Sequence, residues 1–211
     1  MIHINIVAED PLSEVMMRTI LQRSGRQFLV MACYGKKGAG YIKKQLIAFN
    51  MAAKVSPFFV LTDLDDEECA PMLLKNLLKF DRHPNLIFRI AIREVESWIL
   101  ADQENLSKFL GVGREKIPAD VEGIPDPKQV IVNLANRSRS RIIRESIAPA
   151  HSSYAQVGPD YNGQLGFFIQ KYWDIKSAMV RSKSLQKTIS SIKNFRPQKQ
   201  NQTEFSNEDR M

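Results

Sequence analysis

The chain has few of the residues that build thiolate sites or disulfides. Its 211 residues include two cysteines, Cys33 and Cys69, and three scattered histidines. Neither cysteine belongs to a CxxC motif or a Cys/His cluster, which argues against a zinc site. No stretch approaches the roughly eighteen apolar residues of a membrane-spanning helix, and no basic leader with a cleavage site opens the chain. We therefore expect two free core thiols and a cytoplasmic protein without a membrane segment.

The composition is that of a globular protein with an excess of positive charge. Hydrophobic residues make up 44% of the chain and charged residues 25%, so a packed core is expected without disulfides. The net charge of +7 favours an acidic partner, with nucleic acid first and an anionic membrane surface second.

Four strand-like segments alternate with helical spacing in the first half of the chain. They cover residues 2–8, 27–34, 57–62 and 86–92. The third is continuously apolar, as expected of a strand that is buried on both faces. The pattern predicts an α/β fold, with a mostly parallel sheet flanked by helices.

The character of the chain changes near residue 111, where glycine and proline become frequent. We predict an α/β core over residues 1–110 and a helical extension packed on it over residues 111–195, including one helix from Ile175 to about Ile192. Residues 196–211 are rich in glutamine, asparagine and lysine and are predicted to be disordered.

Acidic side chains follow three of the predicted strands. Glu9 ends the first strand, Asp63 and Asp65 the third, and Glu94 and Glu96 the fourth. Because the carboxyl ends of parallel strands share one edge of the sheet, these groups are expected to converge. Grouped carboxylates repel one another, and a divalent cation such as Mg²⁺ or Mn²⁺ removes that penalty.

Helix capping is the alternative for each of these acids. It is weaker for Asp63 and Asp65, which follow a buried strand directly and share a side if the strand continues. Glu94 and Glu96 would lie about 200° apart once helical, so we expect Glu96 to point inward.

Two basic segments are candidates for contact with phosphate. The loop Gly35–Gly40 carries Lys36 and Lys37, but it matches neither a P-loop nor a GxGxxG fingerprint, so a plain connection is equally open. Arg137, Arg139 and Arg141 form the best nucleic-acid-binding run, with a solvated helix face as the alternative.

Several of these segments resemble known families. Ile4–Glu9 and Phe59–Asp65 look like the Toprim arrangement of topoisomerases, primases and OLD-type nucleases, although Asp10-Pro11 stands where a glycine often follows the family glutamate. More narrowly, Ile90–Asp102 and Val157–Asn162 resemble the DUF4276 group of Toprim-like bacterial proteins.

The resemblance implies Mg²⁺-dependent phosphodiester chemistry. Glu9 would be a metal ligand or general acid/base, Asp63 and Asp65 metal ligands, and Glu96 an additional acid. Glu14 would support a second metal ion. The resemblance also implies an ATPase partner in phage defence, and a homo-oligomer is compatible with it.

Three functions remain open at this point. A metal-dependent nuclease is the first hypothesis. A catalytically inactive Toprim-like module that binds an ATPase or nucleic acid is the second. A receiver-type phosphorylation domain is the third, but the lysine expected after a fifth strand has no clear candidate.

Overall fold

The computed structural model describes residues 1–150 and 153–198. Within them the chain forms one four-stranded parallel sheet in the order β2-β1-β3-β4, with ten α-helices around it and one 3-10 helix at Arg114–Lys116. The strands are β1 Ile2–Ala8, β2 Phe28–Gly35, β3 Phe58–Asp63 and β4 Leu86–Ala91. The helices are α1 Pro11–Arg23, α2 Ala39–Ala52, α3 Ala70–Leu77, α4 Glu96–Ala101, α5 Gln103–Leu110, α6 Pro127–Asn136, α7 Arg141–Ile147, α8 Tyr161–Lys171, α9 Ile175–Met179 and α10 Lys183–Asn194.

The predicted α/β class is confirmed, and the arrangement is consistent with a Toprim-like fold that carries a C-terminal helical part. β1 and β3 occupy the centre of the sheet, where five consecutive residues of each strand are buried. This explains why β3 has a continuous apolar run, since central strands of a parallel sheet are covered on both faces.

α1 begins with an aspartate cap followed by a proline. The Asp10 carboxylate accepts a hydrogen bond from the Ser13 backbone N–H at 2.7 Å, and Pro11 occupies the first helical position. Asp10 is therefore the N-cap of α1. The cap fixes the direction in which the chain leaves β1, directly beside Glu9.

The two faces of the sheet are covered by different helices. α2 and α3 pack on one face around Val60 and Phe88. The other face belongs to a larger hydrophobic cluster that also contains Trp98, Phe168 and Ile189 from α4, α8 and α10. The helical part thus packs on the sheet, although the predicted boundary near residue 110 stays a prediction.

The two tryptophans link α4 to the later helices. Trp98 is fully buried, and its indole N–H donates to Ser184 Oγ at 2.7 Å. Trp173 donates to the Trp98 carbonyl at 2.9 Å. Both belong to the hydrophobic core, whereas Phe167 is half-exposed.

The prediction of a single helix from Ile175 to about Ile192 is wrong, because the structure has two helices there. A break near Arg181 separates α9 from α10, because Ser182 caps α10 by accepting a hydrogen bond from the Leu185 N–H at 3.1 Å. Beyond α10, Gln198 exchanges hydrogen bonds of 2.7 and 3.0 Å with the Asn85 side chain. The remainder of the tail that was predicted to be disordered lies outside the described residues.

The expectations about the two cysteines and about membrane-spanning helices can be compared with the structure. Cys33 and Cys69 are free, and both are partly buried. Cys33 packs against the larger hydrophobic cluster, whereas Cys69 belongs to neither cluster. Among the described residues, no helix is long and apolar enough to cross a membrane.

Candidate active site

The first two acidic side chains meet where β1 and β3 end. Glu9 Oε1 accepts a hydrogen bond from the Thr62 hydroxyl and another from the Asp63 backbone N–H, the latter at 2.9 Å. Because β1 and β3 are neighbours in the sheet, these contacts follow from the strand order. Burial raises the pKa of Glu9, and the two hydrogen bonds offset this only in part.

The glycine loop after β2 supports the backbone at Glu9. Gly35 has a φ of +97°, and a Cβ at this position would lie 2.1 Å from the Ala8 carbonyl oxygen. The N–H groups of Lys36 and Gly38 donate to the carbonyls of Ala8 and Glu9 at 2.8 and 3.1 Å. These two donors therefore brace the end of β1, a role that the sequence did not suggest.

Asp63 holds the most unusual carboxyl group in the described residues. Its Oδ1 atom is buried and has no hydrogen-bond partner among them. Burial raises the pKa of Asp63 well above its usual range, and the carboxylates of Glu96 and Glu9 raise it further. Acids from three strand ends thus act on one another, as the strand-end argument predicts.

Glu96 is the first residue of α4 and is buried, as its spacing predicts, with 2% of its surface exposed. The Tyr161 hydroxyl donates to Glu96 Oε1 at 3.0 Å. Burial raises the pKa of Glu96 to about 7, even though Lys128 lowers it. Glu96 can therefore exchange a proton near neutral pH.

Lys128 enters this site from the first turn of α6. Its Nζ atom lies 3.1 Å from Glu94 Oε1 and 3.9 Å from Glu96 Oε1. Glu94 Oε2 also accepts a hydrogen bond from the Lys128 backbone N–H at 3.1 Å, so the Glu94 carboxylate binds both the backbone and the ammonium group of Lys128. Burial alone would lower the pKa of Lys128, but Glu96 and Glu94 raise it above its usual range.

Neither Lys128 nor Tyr161 was identified as a site residue from the sequence. Tyr161 lies in the Val157–Asn162 stretch that carries the DUF4276 resemblance, and this could have marked it. Lys128 follows the Asp126-Pro127 pair, which is typical of a helix start but does not indicate that the lysine contacts the acidic group. The sequence marks Thr62, the donor to Glu9, only as part of a buried strand.

Asp65 lies at the exposed side of the acidic group. It has a φ of +50°, and its backbone exchanges hydrogen bonds of 2.8 and 2.9 Å with Arg93. This turn ends the strand alternation that would have placed Asp65 beside Asp63. Burial raises the pKa of Asp65, and Lys43 partly offsets the change.

Glu14 and Lys36 pair with each other. Lys36 Nζ lies 3.0 Å from Glu14 Oε2, and Arg18 lies 2.8 Å from Glu14 Oε1. Both partners lower the pKa of Glu14, although burial opposes them. This geometry gives no support to a metal role for Glu14, and it engages the Lys36 ammonium that was expected to contact phosphate.

The other predicted basic residues occupy different environments. The Lys37 ammonium lies 5.5 Å from the centre of the Tyr41 ring. Arg141 forms an exposed ion pair with Glu145 at 2.7 Å, whereas Arg137 and Arg139 line a surface depression of about 390 Å³. The run Arg137–Arg141 is therefore not one continuous helix face, because α6 ends before it and α7 begins within it.

The acidic group fits a divalent cation in its donor chemistry but not as a preformed cage. Within residues 1–150 and 153–198, no three Asp, Glu, His or Cys side chains are already placed to hold a metal ion. The unpartnered Asp63 Oδ1 and the surrounding carboxylates are nevertheless the hard oxygen donors that Mg²⁺ and Mn²⁺ prefer. Binding would require some of these side chains to change rotamer.

Comparisons with known proteins add no family assignment. No family model matches this chain, and neither a curated protein nor a solved structure matches it.

Proposed function

We propose that this protein is a Mg²⁺- or Mn²⁺-dependent phosphodiesterase that acts on nucleic acid as a nuclease. The observation that carries the proposal is the buried Asp63 Oδ1, which has no hydrogen-bond partner in the described part of the chain and whose carboxyl group is repelled by those of Glu96 and Glu9. Such an arrangement destabilises the folded protein when no ligand is bound, and it is typical of ligand-binding sites. A cation would give that oxygen its missing partner and offset the repulsion.

Glu9, Asp63 and Asp65 would hold the metal. When bound, the metal would neutralise a scissile phosphate and lower the pKa of a water molecule. Thr62 and the glycine loop keep Glu9 in place through hydrogen bonds to its side chain and its backbone.

Glu96 would transfer the proton. With a pKa of about 7 it can accept a proton from a nucleophile or return one to a leaving group near neutral pH. Tyr161 fixes the orientation of the carboxyl group through its hydroxyl. The Lys128 ammonium, held by Glu94, adds positive charge beside the acids and so favours an approaching phosphate.

A catalytically inactive binding module is the second candidate. The lack of a preformed three-ligand arrangement among the described residues favours it. In that case, the positive net charge would serve nucleic-acid or ATPase docking without cleavage. The ATPase partner, the defence role and a homo-oligomer rest on the Toprim-like resemblance alone and belong to the proposal in either form.

The test is cleavage of DNA, RNA and tRNA in the presence of Mg²⁺ or Mn²⁺ by the wild type and by Asp63→Asn. We expect the variant to lose about a hundredfold or more in rate, because it loses a charged ligand. Asp81→Asn is the matched control, since Asp81 is exposed and precedes the start of β4, whereas the acidic group lies where the strands end.

Equal cleavage by the wild type and Asp63→Asn would refute the proposed roles. Nucleic-acid binding that survives in both proteins without metal-dependent cleavage would instead favour the inactive module.

A further inference from the structure

A second charged site lies at the far end of α6 from the acidic group. Lys108, Lys116, Arg137 and Arg139 line the surface depression of about 390 Å³. Four of its eight lining residues are cationic, and no acidic residue lines it among the described residues. We propose that this depression, the α6 pocket, binds a backbone phosphate of the nucleic-acid substrate away from the reaction centre.

The fold points both arginines into the same pocket. Ser138 between them is buried, its N–H donates to the Ala135 carbonyl at 2.9 Å, and its hydroxyl accepts the Ser140 N–H at 3.0 Å. Because the intervening residue turns inward, Arg137 and Arg139 both remain exposed. The pair is therefore held by an ordered connection between α6 and α7.

The opposite wall of the pocket comes from the end of α5. Gly111 ends this helix in the left-handed conformation, with a φ of +65°. A Cβ at Gly111 would lie 3.7 Å from the Arg139 backbone nitrogen, so the two walls approach closely. Lys108 and Lys116 stand on either side of this turn.

The charges of the pocket are only partly neutralised by the protein. Lys108 pairs with Glu104 at 2.8 Å. Lys116, Arg137 and Arg139 form no ion pair with any residue that the structure describes. Adjacent positive charges repel one another, and a phosphate removes that repulsion while matching the arginine fork.

α6 sets the distance between the pocket and the acidic group. Lys128 contacts Glu94 at the first turn, and Arg137 follows the last turn, nine residues later. At the α-helical rise their Cα atoms lie about 14 Å apart along the axis. A ligand that reaches both sites must be longer than one phosphodiester unit, which favours a polymeric substrate. This inference rests on the proposed function for its choice of ligand.

The binding test uses a fluorescent single-stranded oligonucleotide in EDTA, so that it is independent of cleavage. We expect Arg137→Gln/Arg139→Gln to weaken binding at least tenfold, or by about 1.4 kcal/mol. The slope of log affinity against log salt should fall by about 0.7 for each phosphate that the variant no longer neutralises. Arg141→Gln is the matched control, because Arg141 belongs to the same run but pairs with Glu145 outside the pocket.

Equal losses of affinity in the double variant and in Arg141→Gln would overturn the proposal, since general charge would then explain binding. Unchanged binding by the double variant would also overturn it. A third experiment measures the binding of inorganic phosphate and of pyrophosphate to the wild type and to the double variant. If either binds the wild type as tightly as the oligonucleotide does, and the double variant abolishes that binding, the pocket serves a small phosphate compound and the backbone assignment is wrong.

Cleavage separates this inference from the proposed function. Bis(p-nitrophenyl) phosphate is too short to span the two sites, so the double variant should cleave it at the wild-type rate. With the oligonucleotide, KM should rise at least tenfold while kcat stays within about twofold, because uniform binding is lost. Equal effects on both substrates would overturn the inference. Should the wild type cleave neither, the proposed function fails and the binding test in EDTA still decides the pocket.

Discussion

Replacing Glu96 by glutamine measures how strongly burial of the acidic group destabilises the metal-free protein. The folded protein raises the pKa of Glu96 from 4.5 to about 7. The native state therefore keeps this proton to a higher pH than the unfolded chain does. The free energy of unfolding of the wild type falls as pH rises through this window, and the loss is complete only above about pH 7. Glu96→Gln has no such titration and still offers an oxygen to the Tyr161 hydroxyl.

The magnitude follows from these two pKa values. Between about pH 5 and about pH 8, the linkage relation gives a loss of about 2.5 kcal/mol for the wild type that the variant does not share. Glu96→Gln should therefore gain stability relative to the wild type by about that amount over this range. The gain should be largest in alkaline buffer, where the wild-type carboxylate is charged and buried.

Urea unfolding in EDTA at the two pH values is the assay, with the midpoint and the slope fitted separately. Glu94→Gln is the matched control, because it removes a carboxylate that holds Lys128 through two hydrogen bonds. It should lower stability at both pH values. An identical pH dependence of the free energy of unfolding for the wild type and Glu96→Gln would refute the reasoning. So would a Glu96→Gln variant that is less stable than the wild type at the higher pH.

Two further variants test the support around Glu9. Gly35→Ala should lower the free energy of unfolding by about 1–3 kcal/mol, because the residue has a positive φ and its Cβ would collide with the Ala8 carbonyl. Gly25→Ala is its control in the same urea assay, since its φ is also positive but no atom lies within 4 Å of the new Cβ; equal losses of stability would mean that the collision does not matter. Thr62→Val removes the hydroxyl that donates to Glu9 and should lower kcat about tenfold or more while costing about 1–2 kcal/mol of stability. A wild-type kcat in this variant would mean that the Thr62 hydroxyl does not position the acid.

The strands and their acidic ends could be predicted because they depend on local patterns. A continuous apolar run predicts β3, and the Asp10-Pro11 pair predicts the start of α1. The meeting of Glu9 and Asp63 follows from one general rule, that parallel strands end at a shared edge. This much needs no knowledge of side-chain contacts.

The environments of the other site residues could not be predicted in the same way. The strand alternation fails at Asp65, where a left-handed turn bonded to Arg93 changes the direction of the chain. Glu14 lies in the first turn of α1, five residues after Glu9, yet a lysine from the loop after β2 neutralises it. In both cases, the outcome depends on a neighbour that is distant in the chain.

The sequence by itself determines the α/β class, the start of α1 and the set of acids at the strand ends, because propensity, capping and period act over a few residues. Only the tertiary structure decides which carboxylate is buried without a partner, that Lys128 and Tyr161 reach Glu96 from α6 and α8, and that two arginines share a pocket while a third does not. These features depend on how the helices pack against the sheet. Burial and the distances between charges then set the pKa of each group, and both are properties of the packed molecule.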